Sequence, residues 1–213
     1  MMGERGLHYK KTFFEWSTRV PLIFWAGDRL NPHRVGETVS LLDILPTFAD
    51  LAGTSNDVVE ADGTSLIPLL NRQPIEPRIV PGELLSEGVF EPTFMLLRGR
   101  LKLLYSEIDP PLLFDLDSDP DELADVSHHP AYTETLDAML SEARALWDAK
   151  GLRDCIIKDQ NRRRLINRSH KIGSSPVWDY QPYEDASKQY VRAGKWTTEV
   201  EAKAHLDTLG SRD

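Results

Sequence analysis

The chain has 213 residues, 40% of them hydrophobic and 28% charged, an ordinary globular composition that suits one domain or one and a half small ones. Lys and Arg total 25 against 34 Asp and Glu, and the resulting formal charge of −9 disfavours a general nucleic-acid-binding role, which needs a basic surface. No apolar run approaches the ~18 residues of a membrane-spanning helix; the lone Cys155 excludes an internal disulfide and a thiolate zinc site, and points to a reducing, cytoplasmic compartment.

The opening Met1-Met2-Gly3-Glu4-Arg5-Gly6 has no apolar core of a signal peptide and reads like the middle of a loop. Aromatic residues follow at once, with Tyr9, Phe13, Phe14 and Trp16, so the chain is expected to be the C-terminal portion of something longer. The short apolar run from Val20 to Ala26, closed by Gly27-Asp28, predicts a buried strand. Over 38–52 the spacing of Val39, Leu42, Leu45, Phe48 and Leu51 predicts helix, with Gly53 as its C′ residue and Pro46 opening a second turn as an N1 proline. A short helix is predicted over 65–71.

Residues 79–116 read as an antiparallel meander with strands at 82–87, 93–98, 101–106 and 112–116. Arg98-Gly99-Arg100 supplies one tight reversal, and Glu91-Pro92 and Asp109-Pro110-Pro111 supply the other turns. The next helix is predicted over 131–149, with Tyr132, Leu136, Met139, Leu140, Ala143, Leu146 and Trp147 on one face, ended by Gly151. A more basic helix over 152–167 follows. The tail holds Trp178, Tyr180, Tyr183, Tyr190 and Trp196 without periodicity, and is expected to dock on its own core or on a neighbouring subunit.

Residue types alone assign little chemistry. Cys155 sits on an apolar helix face and reads as a packing residue. Asp115-x-Asp117-x-Asp119-x-Asp121 has the spacing of a calcium loop, but Pro120 replaces the required glycine and Val126 the required glutamate. His128-His129 precedes Pro130 at a helix start and suits a capping role, and Arg162-Arg163-Arg164 a solvated or interface face. Lys10 and Lys11, among aromatics, read as snorkelling lysines.

Three pieces in order change that reading. Lys10, Glu15 and Arg19-Val20-Pro21 follow the pattern lysine, five residues, glutamate, then Arg-Val-Pro. Asp43-Ile44-Leu45-Pro46-Thr47 gives Asp-x-x-Pro-Thr, and Leu113-Phe114-Asp115-Leu116 with Asp119-Pro120-Asp121-Glu122 gives the later turn. Together they resemble the sulfatases of the alkaline-phosphatase superfamily. The Gly3-Glu4-Arg5-Gly6-Leu7 opening and the tail around Trp178-Asp179-Tyr180-Gln181-Pro182 and Asp185–Arg192 are similar to choline sulfatases, with His8 where that family commonly has Trp.

The resemblance implies an α/β fold: the edge of a large mixed sheet with helices, plus a small antiparallel sheet with a packed helix and an extended C-terminal tail. Residues 1–78 would end the catalytic domain, 79–150 form the small subdomain, and 151–213 form a helix and tail serving homo-oligomerisation. The implied reaction is hydrolysis of a small sulfate ester, choline sulfate, to choline and sulfate, without nucleic acid or membrane. The family's nucleophile is a cysteine oxidised to formylglycine in a Cys-x-Pro-Ser-Arg context, assisted by calcium or magnesium. Cys155 lacks that context, so this chain alone is expected to be inactive, with no fully liganded metal. Lys10 matches the lysine that contacts the sulfate, and Glu87 falls where choline sulfatases face the quaternary ammonium. Alternative readings are another sulfatase, a phosphonate monoester hydrolase, or a non-catalytic oligomerisation module.

Overall fold

The computed structural model describes residues 3–7, 10–54, 61–86 and 88–173. Its helices are α1 (Glu15–Thr18), α2 (Ile44–Leu51), α3 (Ile67–Leu70), α4 (Thr133–Leu146) and α5 (Ala149–Ile172). Its strands are β1 (Ile79–Leu84), β2 (Thr93–Arg98), β3 (Leu101–Ser106) and β4 (Leu112–Asp115). The chain divides into two units, Met1–Gln160 and Asn161–Asp213.

The four strands form an antiparallel meander in the order β1-β2-β3-β4. Phe94 faces Tyr105, and Leu103 pairs with both Leu96 and Leu113, so these apolar side chains share one face. Met139 and Ala143 of α4 and Trp147 beyond its end pack on that face. The Phe94 and Trp147 rings stack with centroids 4.5 Å apart, and the indole N–H donates to Glu83 Oε1 at 2.7 Å. The opposite face carries Met95, Leu104 and Phe114, and is covered by Phe13 and Phe14. Burial on both faces makes β3 almost wholly buried.

Strands β2 and β3 match their predicted limits; β1 lies three residues upstream of the predicted run and includes Pro81 and Gly82. Both residues weaken a strand signal, but β1 is an edge, where a proline is tolerated. Gly82 has its own reason: a Cβ there would lie 3.0 Å from Phe13 Cε1, so glycine admits the Phe13 ring.

The predicted strand over 20–26 is not formed among the described residues: this segment has no strand assignment, and Ile23 and Trp25 are 85% and 87% exposed. A strand needs a partner for its backbone groups, and no described strand pairs with it. Over 38–52 the helix is divided. A 3-10 turn, Leu41–Asp43, carries a Ser40/Asp43 capping box and leads into α2. Pro46 is the third residue of α2, in a first turn whose N–H groups lack intrahelical partners anyway. Gly53 follows with φ 68°, as a C′ glycine should.

Gly151 does not end a helix. The chain breaks at the extended Trp147, and α5 starts two residues later. Asp148 caps α5, its carboxylate accepting the Gly151 N–H at 2.9 Å and its carbonyl the Leu152 N–H at 2.9 Å. This early break also turns Leu146 outward to 53% exposure, while Met139 is fully buried. Met139→Ala should therefore cost about 2–5 kcal/mol in denaturant titration, as for other buried truncations, and Leu146→Ala less than about 1 kcal/mol. Equal losses would contradict this orientation of α4.

Candidate functional site

Residues 10–19 contain the sequence-predicted Lys10 and three of the groups that meet the buried Lys102 of the sheet. Lys102 is the second residue of β3, on the face covered by Phe13 and Phe14, and its side chain is fully buried. Its Nζ donates to Phe13 O at 2.9 Å, Glu15 Oε1 at 2.5 Å and Glu122 Oε1 at 2.8 Å, with Thr18 Oγ1 at 3.3 Å. Glu122, also fully buried, accepts the Glu15 backbone N–H on its other oxygen at 2.6 Å. Glu122 reaches inward from a left-handed conformation, φ 55°, on the Asp119-Pro120 turn. Arg5 closes the outside: it lies 4.0 Å over the Phe14 ring and donates to the carbonyl oxygens of Asp121 and Glu122.

A second cluster surrounds Asp43, which is fully buried. Arg78 binds its carboxylate with two nitrogens, and the N–H groups of Thr64 and Ser40 donate to it at 2.9 Å and 2.6 Å. Burial alone would raise the Asp43 pKa, but the Arg78 and backbone hydrogen bonds outweigh burial and hold the group below its ordinary value. Thr47 completes the unit, donating to Asp43 O at 2.6 Å and accepting the Leu66 N–H at 2.8 Å. The Asp-x-x-Pro-Thr motif thus joins α2 to the start of α3.

Three further acidic residues, Asp115, Asp119 and Asp125, are engaged by the protein. Asp115 accepts from Tyr132 Oη at 2.7 Å and from Arg100. Burial pushes its pKa up, but the Tyr132 hydrogen bond and the Arg100 charge bring it below the ordinary value. Asp119 accepts the Ala124 N–H at 2.7 Å, and Asp125 the N–H groups of Leu113 and Ser127 at 3.0 Å and 2.9 Å. Among the described residues no three His, Cys, Asp or Glu side chains form a metal-binding group. The carboxylates on the sheet already face Lys, Arg, N–H or O–H donors.

Lys10 lies in a turn and is exposed. Glu87 and the tail aromatics lie outside the described residues. Lys11 approaches Gly88: a Cβ on Gly88 would lie 3.8 Å from Lys11 Cδ. A groove of about 690 Å³, lined by Leu22, Phe24, Trp25, His33 and Leu66 among others, does not include Lys10. Cys155 is exposed on α5, not packed on an apolar face as predicted, because the first turns of α5 meet the core through Ala149 and Leu152 instead. Sequence reasoning missed Lys102 and Arg78. The available signal for Lys102 was a single cation inside the apolar run Leu101–Tyr105: a strand buried on both faces obliges such a residue to find carboxylates.

Comparison with known proteins identifies the family. The model for the C-terminal region of N-sulphoglucosamine sulphohydrolase matches residues 3–148, and that for the choline sulfatase C terminus matches residues 154–205. The choline-sulfatase of Rhizobium meliloti (strain 1021) is 37% identical over 198 residues, covering 90% of this chain and 38% of the relative. Arylsulfatase K of Gallus gallus is 35% identical over 184 residues, covering 81% of this chain and 34% of the relative. A solved structure titled as BT1596, a 2-O GAG sulfatase, matches 57% of this chain and 25% of its own at 33% identity, with a TM-score of 0.39. The chain belongs to the sulfatase family of sulfuric ester hydrolases and matches its C-terminal region. It spans between a third and two fifths of the length of these two relatives. No helix among the described residues is long and apolar enough to cross a membrane.

The Asp43 cluster has a pH signature. A carboxylate with a lowered folded pKa stabilises the fold above the unfolded value of about 3.9, and that contribution is lost as pH falls through the folded value. Asp43→Asn should lower stability at pH 7 by about 3 kcal/mol, the lower end for a broken buried pair because Arg78 retains some solvent contact. The variant's stability should also fall less steeply on acidification below pH 5. Stability-against-pH curves that run parallel to those of the unsubstituted chain would contradict the assignment.

Proposed function

We propose that the chain is the C-terminal part of a choline-sulfatase-like enzyme that hydrolyses choline sulfate to choline and sulfate. The observation that carries this reading is the likeness to the Rhizobium meliloti choline-sulfatase over nine tenths of the chain, with the choline sulfatase C-terminal match in the tail. In this reading the formylglycine nucleophile and the calcium or magnesium site are supplied by polypeptide outside these 213 residues, and the chain alone is inactive. The enzyme is cytoplasmic and assembles as a homo-oligomer through residues 151–213.

Lys10 holds a sulfate oxygen. A fixed ammonium about 4 Å from such an oxygen, at an effective dielectric of about 20, contributes roughly 4 kcal/mol before desolvation. It accelerates the reaction to the extent that the attraction grows in the transition state. Choline's trimethylammonium offers no N–H donor, so carboxylates and aromatic faces must recognise it, and Glu87 supplies the carboxylate. The approach of the Lys11 side chain to Gly88 supports placing Lys10 and Glu87 in one site. The arylsulfatase K likeness favours a second reading, a sulfatase for a substrate without a quaternary ammonium.

A substrate panel on the full-length enzyme separates these readings. Lys10→Ala should lower turnover of every sulfate ester by about 10²–10³. Glu87→Gln should weaken choline sulfate on the order of tenfold relative to neutral esters. Equal effects of Glu87→Gln on charged and neutral substrates would remove Glu87 from the cation site, and sulfate-ester turnover by the isolated 213-residue chain would refute its inactivity.

A further inference from the structure

Lys102 has no part in the chemistry proposed above, yet it is the best-held charge on the sheet. Its fully buried amine meets four oxygens, three of them on residues 13–18 and one on the turn that ends at Glu122. We infer that Lys102 is a positioning residue for Lys10: by gripping Phe13 and Glu15 from inside the sheet, it sets where the sulfate-binding ammonium stands. The inference rests on the reading of Lys10 given under Proposed function.

The geometry supports this in three ways. Lys10 is three residues before Phe13, and three residues reach at most about 11 Å, so the anchor confines Lys10 to a small region at this face. The anchor is rigid as well as close, because the Phe13 ring sits where Gly82 has no Cβ and the Glu15 N–H is fixed on Glu122. Finally, adhesion alone does not require charge at this place. Well-packed apolar residues often replace a buried ion pair without loss, and Phe13, Phe14 and Phe114 already supply an apolar contact here. What the cluster adds is direction. One ammonium bonded to a carbonyl and two carboxylates allows one register of residues 13–15 on β3, whereas an apolar contact tolerates sliding.

The test is a pair of mutant cycles in the full-length enzyme with choline sulfate as substrate. Lys102→Met and Glu122→Gln are each made alone and together with Lys10→Ala, and every variant is checked for a cooperative melting transition. Glu122→Gln keeps the shape and one acceptor, and serves as the reading where Lys102→Met does not fold. If Lys102 acts through Lys10, the folded variants should lose on the order of 10² in kcat when Lys10 is present. They should lose less than threefold further when Lys10 is already Ala. Equal losses in both backgrounds, an unchanged kcat, or failure of both variants to fold would overturn the inference and leave the cluster a purely structural role. A Lys10→Ala enzyme with undiminished kcat would overturn the underlying reading of Lys10, and the inference with it.

Discussion

A buried ammonium between two carboxylates organises this part of the molecule. Removing Lys102 from water is costly, and its charge is tolerated only because Glu15, Glu122 and the Phe13 carbonyl surround it. Those partners come from segments more than 80 residues apart in the chain, residues 13–15 and the turn at 119–122. The sheet therefore has two covers of different kinds. Its α4 face is held by apolar contact around Phe94, Met139 and Trp147, which defines a surface but tolerates repacking. Its other face is held by directed bonds, which define a register.

This gives the sulfatase motifs of the chain a division of labour. Glu15 and Glu122, from motifs 107 residues apart, meet on the same amine. Asp43 of the Asp-x-x-Pro-Thr motif binds Arg78 and two backbone N–H groups. These acids are framework residues: they neutralise internal cations and cap turns. Lys10, by contrast, is exposed. Within the first pattern, the glutamate fastens the segment and the lysine carries the proposed contact with substrate.

The parts of the fold that were legible in the sequence are those dictated by local rules. Strands β2 and β3 are dense in apolar residues and joined by Arg98-Gly99-Arg100, where Gly99 takes φ 55°, and their limits follow from that. Met139 and Ala143 follow helical periodicity. The errors arose where a distant partner or a side-chain cap decides. Asp148 starts a helix where Gly151 suggested an end, and β1 accommodates Pro81 because it is an edge. The apolar run at 20–26 has strand composition but no strand beside it among the described residues. Lys10 stood out as a candidate only through the family motifs. The Lys102 cluster joins residues 20 to 107 positions apart, and no spacing rule in a single sequence encodes such pairs.

The most direct measurement of the central claim is native-state hydrogen exchange at the Glu15 amide, whose N–H donates to the buried Glu122 carboxylate. If the ion cluster fixes residues 13–15 on the sheet, this amide exchanges through an opening about as costly as that of the β3 core amides, within roughly 1–2 kcal/mol. If it exchanges as fast as the exposed loop amides at 33–37, the segment is not fastened and the account of Lys102 is wrong.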